Sequence, residues 1–266
     1  MRIAIAGGTG TVGRHVVAAA ERRGHDVVVL SRANGVDVAA GTRLGAALAG
    51  AEVVVDVLNT TTLSTRKAVS FFTMTTRHLL AAEEAAGVRH HVALSIVGID
   101  DIDASYYAGK LAQERLVRAS RVPHTIARTT QFHEFAEQIA SQTTFGPITL
   151  APRTLSRPVA ASEVGAHLVD VAESGPAGRA PDLVGPRDDT LAGMIRRMYA
   201  HDGVSRRVLD IRFPGTYGAG LASGVLRGGG GGGARRIGET TFDEWLAIRH
   251  RSRKPESRAA GPSAGT

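Results

Sequence analysis

A short apolar segment, RIAIAGG, opens the chain and runs into Gly7-Gly8-Thr9-Gly10-Thr11-Val12-Gly13. The next stretch, VGRHVVAAAERRG, has helical spacing and stops at Gly24. Glycines at 7, 10 and 13, directly between a strand and a helix, constrain the fold more than any other feature. They let the backbone turn tightly and approach a pyrophosphate closely, while the helix N-terminus offers N–H groups and a partial positive charge to that anion. Gly13 also allows close packing of helix on strand. The pattern predicts a βαβ unit whose turn, Gly7, Thr9, Gly10, Thr11, Val12 and Gly13, holds a dinucleotide.

The rest of the chain continues the rhythm. HDVVVLSR, AEVVVDVLN, RHHVALSIVG and PHTIARTT read as buried strands, with helices predicted over 42–49, Ser64–Gly87 and 105–119 between them. Strands that are nearly all apolar and alternate with helices imply an α/β fold with a parallel sheet covered on both faces. After Gln131 the pattern loosens. Strands are predicted at 148–151 and 181–185, and helices at 162–173, 188–201 and 240–249. Residues 228–233 are six consecutive glycines that open no helix, so a mobile loop is expected rather than a phosphate cradle. Residues 251–266, RSRKPESRAAGPSAGT, have almost nothing to bury and are expected to be a disordered basic tail.

Composition excludes several classes. The net charge of +7 is concentrated at the end: from Arg249 onward five cations face Glu256 alone, leaving +3 for everything before it. Nucleic-acid binding is therefore not expected. No apolar run reaches the roughly 18 residues of a membrane span, and the N-terminus does not read as a signal peptide, so a cytoplasmic location is expected. There are no cysteines, which rules out disulfides and thiolate metal sites. His90-His91 and His133-Glu134 lack metal-ligand spacing, and Asp100, Asp101 and Asp103 read as a solvated loop, so no metal site is expected.

The end of the second strand bears on which dinucleotide is bound. Selection of NAD uses an acid there, roughly 20 residues past the glycines, to bind the ribose 2′-hydroxyl. Here the strand ends Leu30-Ser31-Arg32, and Asp26 lies at its other end. Arg32 offers a cation for a 2′-phosphate, Ser31 a hydroxyl and Arg14 a second charge. NADP(H) is expected over NAD(H).

The stretch SYYAGKLAQE, residues 105–114, holds two of the four tyrosines and one of only three lysines. Tyr106 and Lys110 are four apart and share a helix face. A lysine ammonium one turn from a phenol favours phenolate, can hold the nicotinamide ribose, and suits a tyrosine that gives a proton to a substrate oxygen as hydride reaches carbon. Tyr107 is the second choice. Thr129, Gln131 and Phe132 lie where the strand PHTIARTT ends and should border the nicotinamide. Gln131 and His133 are candidate substrate contacts, and Trp245 reads as a core residue of the last helix.

GGTGTVG, SIVGI at 95–99, YYAGKLAQE, RTTQFHEF at 128–135, RPVAASEVGAHLVDVAE and TTFDEWLA together resemble the atypical short-chain dehydrogenase/reductases, NmrA-like branch. The resemblance covers nearly all of residues 1–248. It implies a Rossmann domain over 1–250, strand order 3-2-1-4-5-6, and a small C-terminal substrate-binding region, drawn from about 132–160 and 187–248. It implies reduction of quinones, ketones, enones or imines with NADPH, or in some members NADP binding without turnover. On the family's motif, Tyr106 and Lys110 match the Tyr-x-x-x-Lys pair. Asp37 and Val38 fall near the adenine, and Leu58, Asn59 and Thr60 under the cofactor. Ser95 takes the place of the serine that touches the nicotinamide side or the substrate, although the substrate-facing hydroxyl of related reductases lies two residues on, at Val97 here.

The expected activity is hydride transfer from NADPH to a small or medium carbonyl, quinone or related acceptor, with a small-molecule substrate and no partner legible in the sequence. The alternatives are a non-catalytic NADP(H)-binding redox sensor and, behind it, a sugar-nucleotide epimerase or dehydratase.

Overall fold

The computed structural model describes residues 1–228 and 234–253. Most of the six-glycine run and most of the expected tail therefore lie outside the described residues, although the last helix extends to Arg253.

The first half is a regular α/β alternation: β1 (Arg2–Ala6), α1 (Gly13–Arg22), β2 (Asp26–Leu30), α2 (Leu44–Ala47), β3 (Val53–Asp56), α3 (Thr65–Ala86), β4 (His90–Ile96), α4 (Ser105–Ala119) and β5 (His124–Thr129). Local chemistry sets these bounds. Ser64 caps α3 by accepting from the Lys67 N–H, and Gly87 closes it in the left-handed region at φ 71°. In the main sheet β2, β1, β3, β4 and β5 lie side by side, followed by strands Asp182–Val184 and Arg235–Ile237, and every pairing is parallel.

The resemblance implies a strand outside β2, and among the described residues there is none: β2 is the edge. Residues 31–43 carry Gly35 and Gly41 and no apolar run. They form a 3-10 turn (Arg32–Asn34) and a loop closed by a single bridge between Asp37 and Thr42. The connection from β1 leads outward to β2, and the chain then crosses back to β3 on the other side. That reversal opens a crevice at the carboxyl end of β1.

Side chains alternate between two layers. Ile3, Ile5, Val53, Val55, Val92 and Leu94 pack with α1 and helix α6 (Ala161–Ser174). Ala4, Ala6 and Val54 face α2 and α3. Helix α5 (Phe135–Thr143), α7 (Leu191–His201) and α9 (Phe242–Arg253) pack with strands Ile148–Pro152 and Arg207–Ile211 into a second cluster. A further helix, α8 (Gly215–Ser223), lies across the loop after β4. Sequence periodicity missed α5, α8, Arg207–Ile211 and Arg235–Ile237, which are short and mostly half-exposed.

Helices α3 and α4 meet at Gly109. A Cβ there would lie 2.6 Å from Phe72 Cδ2 and 2.8 Å from the Ala68 carbonyl carbon. Gly109→Ala is expected to destabilise the protein by about 1–3 kcal/mol through overpacking, measured by urea unfolding.

Candidate active site

The candidate residues converge at the carboxyl edge of the sheet. The turn after β1 fits a close-approaching anion. Gly7 has φ +84°, and a Cβ on it would lie 2.9 Å from the Val57 carbonyl oxygen. A Cβ on Gly13 would lie 2.1 Å from the Gly7 carbonyl oxygen. Gly10 N–H donates to that same oxygen at 2.9 Å. Helix α1 has no side-chain cap and no acid in its first turn, so its N-terminal field is not neutralised from within. Thr9, Gly10 and Thr11 are exposed, whereas Val12 points into the core.

At the end of β2, Ser31 Oγ is buried with no hydrogen-bond partner, and the exposed Arg32 stands beside it. An orphaned hydroxyl next to a free guanidinium fits a phosphorylated ribose. Arg14 is exposed and its charge also bears on the half-buried Glu134 of the C-terminal region. Asp37 Oδ1 accepts from the Ala39 and Ala40 N–H groups at 2.9 and 3.2 Å, and Val38 is buried, so both shape the loop itself.

Helix α4 carries the candidate pair, Tyr106 and Lys110. Its first residue, Ser105, is held at φ 55°, a strained conformation for a non-glycine. Two hydrogen bonds pin it to the start of α3: Ser105 N–H donates to Thr65 Oγ1 and Ser105 Oγ donates to the Leu63 carbonyl, both at 2.8 Å. Tyr106 follows, half-buried, its ring edge-on to Phe72 at 5.6 Å and its hydroxyl donating to Asn59 Oδ1 at 2.8 Å. Lys110 is 3% exposed, and its Nζ lies 4.8 Å over the same Phe72 ring. Tyr106 and Lys110 thus share one face, as their spacing requires.

The ammonium does not make the phenol more acidic in this arrangement, contrary to the sequence expectation. Lys110 Nζ donates to Gln113 Oε1, and Gln113 Nε2 donates to Asp56 Oδ2 at 2.7 Å. Burial and then the Asp56 carboxylate push the Tyr106 pKa up, so the phenol is held protonated. Burial also draws the Lys110 ammonium down to about 8, against the fields of Asp56 and Glu114.

The remaining candidates divide. Asn59 accepts from Tyr106, Leu58 N–H is held by Asp56 Oδ1 at 3.0 Å, and Thr60 N–H donates to Asn59 Oδ1 at 2.8 Å. Ser95 is 1% exposed and points into the α4 layer, beside the Glu114 carboxylate though not in hydrogen-bonding geometry with it. Val97, two residues on, is apolar and buried. Thr129 is buried within the sheet, Phe132 is partly buried, and the Gln131 amide lies next to the Tyr107 hydroxyl with both polar atoms unpartnered. Tyr107 is buried and packs with Tyr217 of α8 at 6.0 Å.

Two expectations are corrected. His133 is 1% exposed, packs against the stacked Phe242 and Trp245 rings at 5.5 and 5.9 Å, and bonds the Thr240 carbonyl through Nε2, so it belongs to the core around α9 and not to a substrate surface. Asp100 is not merely solvated: Arg128, 2% exposed in β5, binds it with both terminal nitrogens and also bonds Glu114 at 2.7 and 2.8 Å. Sequence reasoning missed Asp56, Gln113, Glu114 and Arg128. The signal was present in each case as a polar residue inside an otherwise apolar strand or on the inward face of α4.

The profile of the NAD(P)H-binding family matches residues 7–174, and the chain belongs to that family. An Escherichia coli NADPH-dependent quinone oxidoreductase complexed with NADPH superposes with a TM-score of 0.69 at 17% identity, covering 93% of this chain and 99% of that one. A dTDP-4-dehydrorhamnose reductase from Clostridium acetobutylicum gives 0.69 at 14% identity, with 96% and 100% covered. The triphenylmethane reductase of Citrobacter sp. gives 0.62 at 14% identity, with 85% and 91% covered. At these identities the likeness is one of fold. No curated protein matches the chain in sequence. Among the described residues no cluster of three or more His, Asp or Glu could hold a metal ion, and no helix is long and apolar enough to cross a membrane.

Arg128 ties the loop after β4 to α4, and its loss would leave the buried Glu114 with only the half-exposed Arg118 as a cationic partner. Arg128→Met is expected to cost about 3–5 kcal/mol in urea unfolding at neutral pH. Arg128 bonds hold Asp100 below the ordinary 3.8, and they hold Glu114 below 4.5 in spite of its burial. The stability tied to these lowered values is present above the ordinary carboxylate range and lost as pH falls through them. The parent should therefore lose stability on acidification more steeply than Arg128→Met, read from unfolding midpoints across the acid range.

Proposed function

We propose that this protein is an NADPH-dependent oxidoreductase that reduces a small or medium conjugated carbonyl, with quinones as the best candidates. The observation that carries the reading is a protonated tyrosine, Tyr106, with a buried lysine on the same helix face, beside a glycine turn built for a pyrophosphate. When bound, NADPH supplies a hydride. Gly7, Gly10 and Gly13 admit its pyrophosphate, Ser31 and Arg32 receive the 2′-phosphate, and Asn59 and Lys110 border the ribose and nicotinamide end.

Tyr106 Oη then gives its proton to the substrate oxygen as hydride reaches the conjugated carbon, and the resulting phenolate recovers a proton from solvent. The raised Tyr106 pKa keeps that proton in place before reaction. The substrate preference follows from what lies near Tyr106. Ser95 is buried beside Glu114 and Val97 has no hydroxyl, so Tyr106 is the hydroxyl offered to a substrate oxygen. A simple ketone develops a localised alkoxide that calls for more than one donor. A quinone spreads the charge over its ring and makes a weaker demand. The neighbouring wall is apolar and aromatic, with Ile96, Tyr107, Phe213, Tyr217 and Val225 packed together, which suits a flat ring. The E. coli quinone oxidoreductase of like fold agrees with this choice.

Turnover over a panel of quinones and ketones tests the reading. Tyr106→Phe is expected to lower kcat on an accepted quinone by roughly 10²–10⁴-fold while leaving NADPH affinity unchanged by calorimetry. A Tyr106→Phe variant as active as the parent would refute the assignment. Arg32→Ala should weaken NADPH binding roughly 10- to 100-fold and leave NADH binding unchanged, because a charge-assisted contact to the 2′-phosphate is lost.

A further inference from the structure

The α3 and α4 side of the sheet contains a chain of buried polar groups that leads to Lys110 from below. Asp56, at the end of β3, is 0% exposed. One carboxylate oxygen accepts from the Leu58 N–H at 3.0 Å and the other from Gln113 Nε2 at 2.7 Å. Gln113 is 1% exposed, and its amide oxygen accepts from Lys110 Nζ. The loop fixed by the first contact carries Asn59, which accepts from the Tyr106 hydroxyl. A single anion therefore reaches both members of the reactive pair, Lys110 through an amide and Tyr106 through a backbone loop.

We propose that Asp56 and Gln113 are positioning residues that fix the place of the Lys110 ammonium and set how readily it gives up its proton. The inference rests on the reading of Tyr106 as the proton donor and of Lys110 as the buried ammonium bordering the cofactor's ribose beside it. Geometry supplies the reason. A buried ammonium needs hydrogen-bond acceptors and a nearby anion to remain charged. Gln113 supplies the acceptor and Asp56 orients it, because an amide that donates to a carboxylate must turn its oxygen the other way. An amide is also not a ready proton carrier, so Asp56 can favour the ammonium without taking its proton.

The other charged and titratable groups facing Lys110 come from each packed element. On α4 these are Tyr106 and Glu114, the latter favouring the ammonium. On β4, His91 is buried against Glu83 of α3, with Nδ1 2.9 Å from Glu83 Oε1. Burial opposes the His91 charge, Glu83 and Asp56 outweigh it, and Lys110 works against it. Phe72 of α3 adds only its ring face. Asp56 is thus the anion shared by His91, Tyr106 and Lys110.

The test reads Lys110 directly. The sequence has only three lysines, Lys67, Lys110 and Lys254, so a ¹³C-lysine-labelled sample gives few ε-carbon signals, and Lys110→Arg assigns the one of interest. Its titration midpoint is measured in the parent, in Asp56→Asn, in Gln113→Met and in the double variant. Each single variant is expected to lower the midpoint by about one pH unit or more, since each removes what favours the ammonium. The double variant should fall well short of the sum, because both act through one chain of contacts. The basic limb of the pH–turnover profile should move downward with it. Gln113→Asn, which keeps the amide but cannot span the same distance, replaces Gln113→Met if the apolar variant does not fold, and the same fall is expected. A midpoint unmoved in the folded variants would overturn the proposal, as would additive shifts. The titration needs neither cofactor nor substrate, so it stands whether or not Tyr106→Phe abolishes turnover.

Discussion

The contact of α3 with α4 across Gly109 and Phe72 is the constraint on which the site depends. Phe72 is fully buried, and its ring is the surface on which both the Tyr106 ring and the Lys110 ammonium rest. Gly109 makes that approach possible from a position between the two functional residues. The strained Ser105 is tied to the first residues of α3 at the end of the same interface. The placement of Tyr106 and Lys110 and the packing of the helices are therefore one problem here. A change that separates the helices by a fraction of an ångström displaces the phenol and the ammonium together.

The two faces of the sheet solve their burial problems differently. Against α1 and α6 the side chains are mostly aliphatic, and the buried polar exceptions, such as His90 and Thr125, bond to each other. Against α3 and α4 the same strands present Asp56, His91 and Arg128, which meet Glu83, Lys110, Gln113 and Glu114. Pairing offsets the desolvation of these ions but does not make such a layer more stable than an apolar one. What the layer provides is direction: each carboxylate or guanidinium accepts only certain partners at certain angles, which fixes the loops after β3 and β4 where the site lies.

Much of this was legible in sequence. The glycine turn, the apolar strands and the capped helix over Thr65–Ala86 follow from local rules that tertiary contacts did not override. The Tyr106–Lys110 spacing held because helical periodicity is a local property. What sequence could not supply was the direction of the Lys110 ammonium, since helix geometry fixes where a side chain starts and not which buried acceptor it finds. Gln113 and Asp56 lie far apart along the chain and meet through the parallel register of β3 and β4. His133 was misjudged for a related reason. Its place after β5 pointed to the crevice, but the aromatic residues Phe242 and Trp245, more than a hundred positions later, enclose it.

The edge position of β2 has an outcome of its own. In a sheet with one more strand, the residues that meet the nucleotide's ribose would be held on both sides by a ladder. Here segment 31–43 keeps its shape through its own hydrogen bonds, chiefly those from Asp37. Substitutions at its exposed positions, Arg32 and Ala33, would leave the sheet and α4 undisturbed, whereas Val36 and Val38 pack into the core with Leu30 of β2 and Leu79 of α3. The exposed rim of the crevice beside β2 is thus the part most open to evolutionary retuning, while the Tyr106–Lys110 end stays fixed by a packed interior.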